Sequence, residues 1–156
     1  SDVCSSDLVG LFRQGFFWIL DSNGSGLFEQ GVDSTFAFGG VSGDIPVVGD
    51  WNGEGRSKIG LFRQGFYWIL DRNGNGQLDS VNLQGGDSAF PFGGLAGDVP
   101  VVGDWSGDGV SKVGVFRAGF LWVLDRNGNN AFDDATQDQV SAFGGITGDR
   151  PLTGKW

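Results

Sequence analysis

The sequence contains no histidine. The side chain best suited to acid–base work near neutrality is therefore missing, and with it the usual activator of a serine or cysteine nucleophile. The only cysteine is Cys4, so no intrachain disulfide can form and no C-x-x-C metal pair exists. No apolar run approaches the roughly 18 residues that mark a membrane-spanning helix. Basic residues are scarce: 10 Lys and Arg stand against 19 Asp and Glu, a net charge of −9. So acidic a chain lacks the basic face that phosphate backbones require, which argues against a nucleic-acid partner. Methionine is absent as well.

What is present is glycine and aromatic surface: 30 Gly, 14 Phe and 6 Trp in 156 residues. That pairing predicts many short strands joined by tight turns. Residues 1–8, SDVCSSDL, match nothing that follows. They resemble the in-frame translation of a sequencing-adapter oligonucleotide and are set aside as a non-native segment. On that reading Cys4 is not native, and the missing Met fits a reading frame whose start lies upstream.

From residue 9 onward one unit recurs. VGLFRQGFFWILD at 9–21 returns as IGLFRQGFYWILD at 59–71 and as VGVFRAGFLWVLD at 113–125. GDIPVVGDW at 43–51 returns as GDVPVVGDW at 97–105 and, altered, as GDRPLTGKW at 148–156. Three repeats of about 50 residues, written as units 9–58, 59–112 and 113–156, imply stacked supersecondary units that cannot each bury an apolar face alone. Within a unit the apolar period is two. Phe66, Trp68 and Leu70 alternate with Tyr67 and Ile69, and both faces are apolar, as for strands packed between two neighbours. Gly65 turns one strand into the next, a third strand is expected near Ala89–Phe92, and PVVGDW supplies a fourth, begun by Pro100. The fold class is all-β: propeller-like blades of four antiparallel strands, forming a partial propeller. The altered third copy, with Lys155 in place of Asp, is expected to close the array, as the C-terminal part of a longer propeller.

The run PVVGDWNGEGRSKIGLFR (46–63), followed by GFYWILDRNGNGQLD and FPFGG, resembles the FG-GAP/VCBS-type repeats of bacterial surface and secreted proteins, relatives of the integrin α-subunit propeller. The resemblance spans 9–156. It implies a β-propeller with calcium-binding Asp-rich loops, an extracellular or cell-surface location in a bacterium, and a role in adhesion or in scaffolding polysaccharide-degrading enzymes.

Two acidic loops recur. The first has Asp50, Asn52 and Glu54, and in its copy Asp104, Ser106 and Asp108, with Gly at the sixth position, like the opening of a calcium loop. The family continues with an acid at the ninth position, where this chain has Lys58 and Lys112. Either calcium binds there, or the lysine ammonium lies across the carboxylates in its place. The second loop is Asp21, Asn23, Ser25, Glu29; then Asp71, Asn73, Asn75, Asp79; then Asp125, Asn127, Asn129, Asp133. Oxygen side chains at alternating positions around a sharp turn suit Ca²⁺, at a modest affinity on the order of 10⁻⁴ to 10⁻³ M. An Asn-Gly turn with Asx bonds to its own backbone explains the same residues, apart from the recurrent acid at the ninth position.

The repeated Trp and Phe are expected to form core between sheets, and Arg13, Arg63 and Arg117 to pair with loop carboxylates. Acids in the motifs repeat, whereas catalytic groups are unique; Asp87, Asp134 and Asp138 stand outside the repeats. The favoured function is a non-catalytic binding or structural module for a protein or glycan ligand. A fragment of a propeller-based polysaccharide-degrading enzyme and an array that self-associates through open blade edges are the alternatives.

Overall fold

A computed structural model describes residues 7–156. Most of the stretch read as foreign, residues 1–6, lies outside the described residues. The chain is all-β, with eleven strands in three antiparallel sheets among the described residues. No helix there is long and apolar enough to cross a membrane. The described residues form two compact units, one ending at Asp44 and the other spanning Ile45–Trp156.

The first unit holds one sheet of β1 (Gly10–Arg13), β2 (Phe17–Leu20) and β3 (Ser34–Ala37), in that order. The second unit holds two sheets of four. One is β4 (Ile45–Gly49), β5 (Lys58–Arg63), β6 (Tyr67–Leu70) and β7 (Ser88–Pro91). The other is β8 (Val99–Gly103), β9 (Lys112–Arg117), β10 (Leu121–Leu124) and β11 (Gln139–Ala142). Each is a meander in chain order, as short antiparallel hairpins allow.

Strand β7 lies where the period predicts it. The phase of the sheets differs from that of the sequence units. The PVVG strand pairs with the strand that follows it, Val47 opposite Gly60 and Val101 opposite Gly114. Each four-stranded sheet therefore begins one strand ahead of the boundaries at 59 and 113. The DWNGEGRS connection folds β4 back onto β5, whereas the FGG segment carries the chain from β7 to the next sheet. Pro46 and Pro100 sit on edge strands β4 and β8, where a missing N–H is tolerated. The third copy, 148–156, forms no strand.

The β1–β2, β5–β6 and β9–β10 turns each place two residues at positive φ: Gln14-Gly15, Gln64-Gly65 and Ala118-Gly119. That is the type I′ requirement, matched to strand twist.

The core of the second unit lies between its two sheets. Val47, Phe62, Trp68, Leu70 and Phe90 share one face of the first sheet and pack with Val113, Val115 and Val123 of the second. Gly60 makes room on that face: a Cβ there would meet Leu70 Cδ2 at 2.8 Å and Val47 Cγ2 at 3.0 Å. The equivalent face of the second sheet carries the same residue types, Val101, Phe116, Trp122 and Leu124. Trp18, Trp51 and Trp68 are buried, Trp105 and Trp122 half-buried, and Trp156 is exposed. Of these, Trp51 and Trp68 belong to the cluster between the two sheets of the second unit.

Candidate functional site

The GDW motif organises the first loop. A Cβ on Gly49 or Gly103 would lie 2.6 or 2.3 Å from the Cζ3 atom of Trp51 or Trp105, so glycine leaves a flat seat for the ring two residues on. The indole Nε1 then donates to the next strand, Trp51 to Ile59 O at 2.9 Å and Trp105 to Val113 O at 3.0 Å. The Asp between Gly and Trp turns into the loop. Asp104 accepts the N–H groups of Gly107, Asp108 and Gly109 at 2.7, 3.0 and 2.9 Å. Asp50 accepts those of Glu54 and Gly55 at 3.0 and 2.6 Å. The Gly109 N–H leads the causes that hold the Asp104 carboxyl below its usual range.

Lysine fills the centre of this loop. Lys112 Nζ donates to Ser106 Oγ at 2.8 Å, Asp108 Oδ1 at 2.6 Å and Val110 O at 3.1 Å, and stands 3.8 Å from Asp104 Oδ1. Its side chain is only 5 % exposed. Lys58 Nζ donates to Asn52 Oδ1 and, at 2.8 Å, to Glu54 Oε2. The hydrogen bond from Lys112 holds the Asp108 carboxyl far below the ordinary carboxylate range.

The second loop is built on three repeated acids. The first folds the turn onto itself. Asp71 accepts Gly74 N–H at 2.7 Å, Asn75 N–H at 3.2 Å and Gly76 N–H at 2.7 Å. Asp21 does the same with Gly24 and Gly26, and Asp125 with Gly128 and Asn130. The second, at the ninth position, closes the ring. Asp79 accepts from Asn73 Nδ2 at 2.9 Å and Asn75 Nδ2 at 2.7 Å. Asp133 accepts from Asn127 and Asn129, and Glu29 from Asn23 and Ser25. The Asn amide oxygens meanwhile accept backbone N–H groups two residues on. Burial pushes the carboxyls of Asp71 and Asp125 above the usual range, against the pull of those backbone donors.

The third acid was not visible as a repeat. Asp87, read from sequence as non-repeated, bonds Arg72 N–H and Asp79 N–H, both at 2.9 Å, tying the two ends of the loop together. Asp138 makes the matching pair with Arg126 and Asp133, and Asp33 with Ser22 and Glu29. All three are buried. They are structural equivalents hidden by loop length: the acid follows the ninth position by four, eight or five residues. The usable signal is its place directly before the third strand. Asp134 is the acid without a counterpart; it caps its own turn through Thr136 and Gln137.

A further acid, the Asp of GDxP, closes the FGG turn. Asp98 accepts Gly94 and Leu95 N–H at 3.0 and 3.1 Å, as Asp44 and Asp149 do in their copies. Arg117 reaches Asp98 with both ends of its guanidinium, Nε to Oδ1 at 2.7 Å and Nη2 to Oδ2 at 2.9 Å. Burial raises the Asp98 carboxyl, but the Arg117 and backbone bonds outweigh it and the net shift is downward.

Taken against the donor set calcium needs, the first loop does not fit: its centre holds an ammonium. In the second loop the oxygens are present but turned toward N–H donors. Among the described residues, no three His, Cys, Asp or Glu side chains are placed to share a metal ion. A shallow cleft between the sheets of the second unit is lined by Arg72, Asp108, Lys112 and Asn127, and its acid is held by its lysine.

No protein-family model, no curated protein and no solved structure matches this chain.

Proposed function

We propose that the chain is a non-catalytic structural and binding module whose sheets stack as blades, working at the outside of a bacterial cell or on its surface with a protein or glycan ligand. One observation carries the non-catalytic part. Every acid that recurs in a motif is occupied with backbone, amide, hydroxyl or lysine donors of its own loop, joined at Asp98 by Arg117 from β9, which is what a scaffold needs and a general acid–base pair lacks. Calcium belongs to this reading only through the second loops, where Asp71, Asn73, Asn75 and Asp79 and their copies would supply hard oxygen donors at the expense of the amide bonds to Asp79. A thermal melt in millimolar Ca²⁺ against a chelator tests that part. Binding to the folded state at 100 times Kd would add about 2.7 kcal/mol, and identical melts would remove calcium from the proposal. Measured turnover of a polysaccharide by the purified chain would overturn the non-catalytic reading itself.

A second reading, self-association, is favoured by Trp122, which is half-buried on a face whose Val101, Phe116 and Leu124 are buried. Its counterpart on the neighbouring sheet is covered by Val113, Val115 and Val123. A face built to the same pattern invites the same cover, from a further unit or a second copy. Light scattering after size exclusion tests this reading; a monomer at all concentrations would sink it.

A further inference from the structure

The family resemblance places a divalent cation in the first loops, and the geometry there disagrees. Number the loop from Asp104. The first, third, fifth and seventh positions are Asp104, Ser106, Asp108 and Val110, and calcium loops draw their ligands from these positions, the seventh through its backbone carbonyl. Lys112, at the ninth position, brings one nitrogen to all four: 3.8 Å from Asp104 Oδ1, 2.8 Å from Ser106 Oγ, 2.6 Å from Asp108 Oδ1 and 3.1 Å from Val110 O. Lys58 repeats the arrangement on Asn52 and Glu54.

The lysine is also held from behind. A Cβ on Gly128 would lie 3.0 Å from Lys112 Cε, and one on Gly74 would lie 3.3 Å from Lys58 Cε. Those glycines belong to the Asn-Gly turns of the second loops. Their φ of 77° and 76° suits glycine in any case. The absent side chain also leaves the channel through which the lysine stem passes. A buried ammonium without partners would be costly; here it is ringed by oxygens, and the oxygens are neutralised in turn.

We infer that Lys58 and Lys112 hold the place of the divalent cation in the first loops, so that these two loops are ordered by a built-in charge and bind no metal. The loop keeps the ligand pattern and changes only the source of positive charge. One consequence is that replacing the lysine by an acid converts the loop into a divalent-cation site.

The test uses the whole chain, freed of metal with a chelator, and Ca²⁺ alone as the titrant in calorimetry. The wild type and a Glu54→Gln, Asp108→Asn double variant should take up the same number of ions per chain. Lys112→Asp should take up one more than the wild type and show a larger Ca²⁺-dependent rise in melting temperature than the wild type. Lys112→Met, which keeps the stem and removes the charge, should melt lower than the wild type in chelator. The inference is overturned if the double variant binds fewer ions than the wild type, or if a folded Lys112→Asp gains none. It is equally overturned if Lys112→Met melts unchanged. Should Lys112→Asp fail to fold, the double variant and Lys112→Met still decide. Ions lost in Asp71→Asn and Asp125→Asn but kept in the Glu54→Gln, Asp108→Asn variant locate calcium in the second loops and support the inference. A wild type that binds no calcium at all supports it too, while removing calcium from the proposed function.

Discussion

Trp68 and Trp122 form a natural pair of controls. Their local bonds are the same. Trp68 Nε1 donates to Phe92 O at 3.0 Å, and Trp122 Nε1 to Phe143 O at 3.0 Å. Trp68 stacks on Phe62 with ring centres 5.0 Å apart at 59°, and Trp122 on Phe116 at 5.0 Å and 58°. Only the cover differs. Trp68 is fully enclosed, with the valines of the neighbouring sheet in its cluster, whereas Trp122 is half-buried and packs only against Val101, Phe116 and Leu124 of its own sheet. Truncating a buried Trp to Ala costs about 3–5 kcal/mol. A Trp buries on the order of 200 Å², so covering the outer half of the ring involves roughly 100 Å², or about 2.5 kcal/mol at about 25 cal/mol/Å². Trp68→Ala should therefore cost about 2–3 kcal/mol more than Trp122→Ala. The assay is urea unfolding followed by circular dichroism, with the comparison made on midpoints at unchanged slope. Equal losses that do not vary with protein concentration would refute the claim that cover between sheets stabilises the unit. Equal losses seen only at high concentration would mean instead that a second copy covers Trp122.

Three further outcomes follow from the loops. Gly103→Ala should lower stability by about 1–3 kcal/mol, because overpacking at this seat displaces the Trp105 ring and its bond to Val113 O; an unchanged melt would show that the ring is not seated there. Asp98 and Asp71 should respond to acid with opposite signs. The Asp98 carboxyl is lowered, so its contribution is present above 3.8 and is lost as pH falls through its folded value; the gap between wild type and Asp98→Asn should shrink on acidification. The Asp71 carboxyl is raised, so its contribution is present below 3.8 and is lost as pH rises through its folded value; the gap to Asp71→Asn should widen on acidification, and pH-resolved melts read both. Asp87→Ala should cost about 1–3 kcal/mol by removing the buried carboxylate that bonds the part-buried N–H groups of Arg72 and Asp79, whereas exposed Asp134→Ala should cost about 1 kcal/mol or less, as measured in the same melts.

The strands were legible because period-two patterning and glycine turns act locally. Ala89–Phe92 was expected and Ser88–Pro91 is found, since Phe90 must face Trp68. The phase of the sheets was not legible. PVVG is apolar on alternate positions whichever neighbour it joins, and the two candidate connections, DWNGEGRS and FGGLAGD, are of nearly equal length, so neither the pattern nor the spacing names the partner. Arg117 finds a carboxylate as its place at a strand end suggested, and that carboxylate is Asp98 of the GD motif. The role of Asp33, Asp87 and Asp138 was hidden because a long-range bond across a loop of variable length leaves no fixed offset to count. Lys58 and Lys112 were half-legible: the wrong residue type at the ninth position was visible in the sequence, while the seventh-position carbonyl that completes the ring around Lys112 emerges only from the folded loop.

The acidity of the chain has the same origin as its loops. A fold of short strands leaves many backbone N–H groups in turns where no ladder can bond them, and a buried N–H without a partner is costly. A carboxylate offers two oxygens and about four lone-pair sites, more than any neutral side chain. Asp21, Asp33, Asp44, Asp50, Asp71, Asp87, Asp98, Asp104, Asp125, Asp134, Asp138 and Asp149 each accept at least two backbone N–H groups. Much of the net charge of −9 is thus backbone capping. That charge is held close to itself, and the chain sets cations against part of it: lysine inside the first loops, arginine on Asp98. A fold organised this way has a reason to be acidic before any ligand is considered. An acidic loop in it becomes evidence for a metal only when its oxygens face one another instead of the backbone.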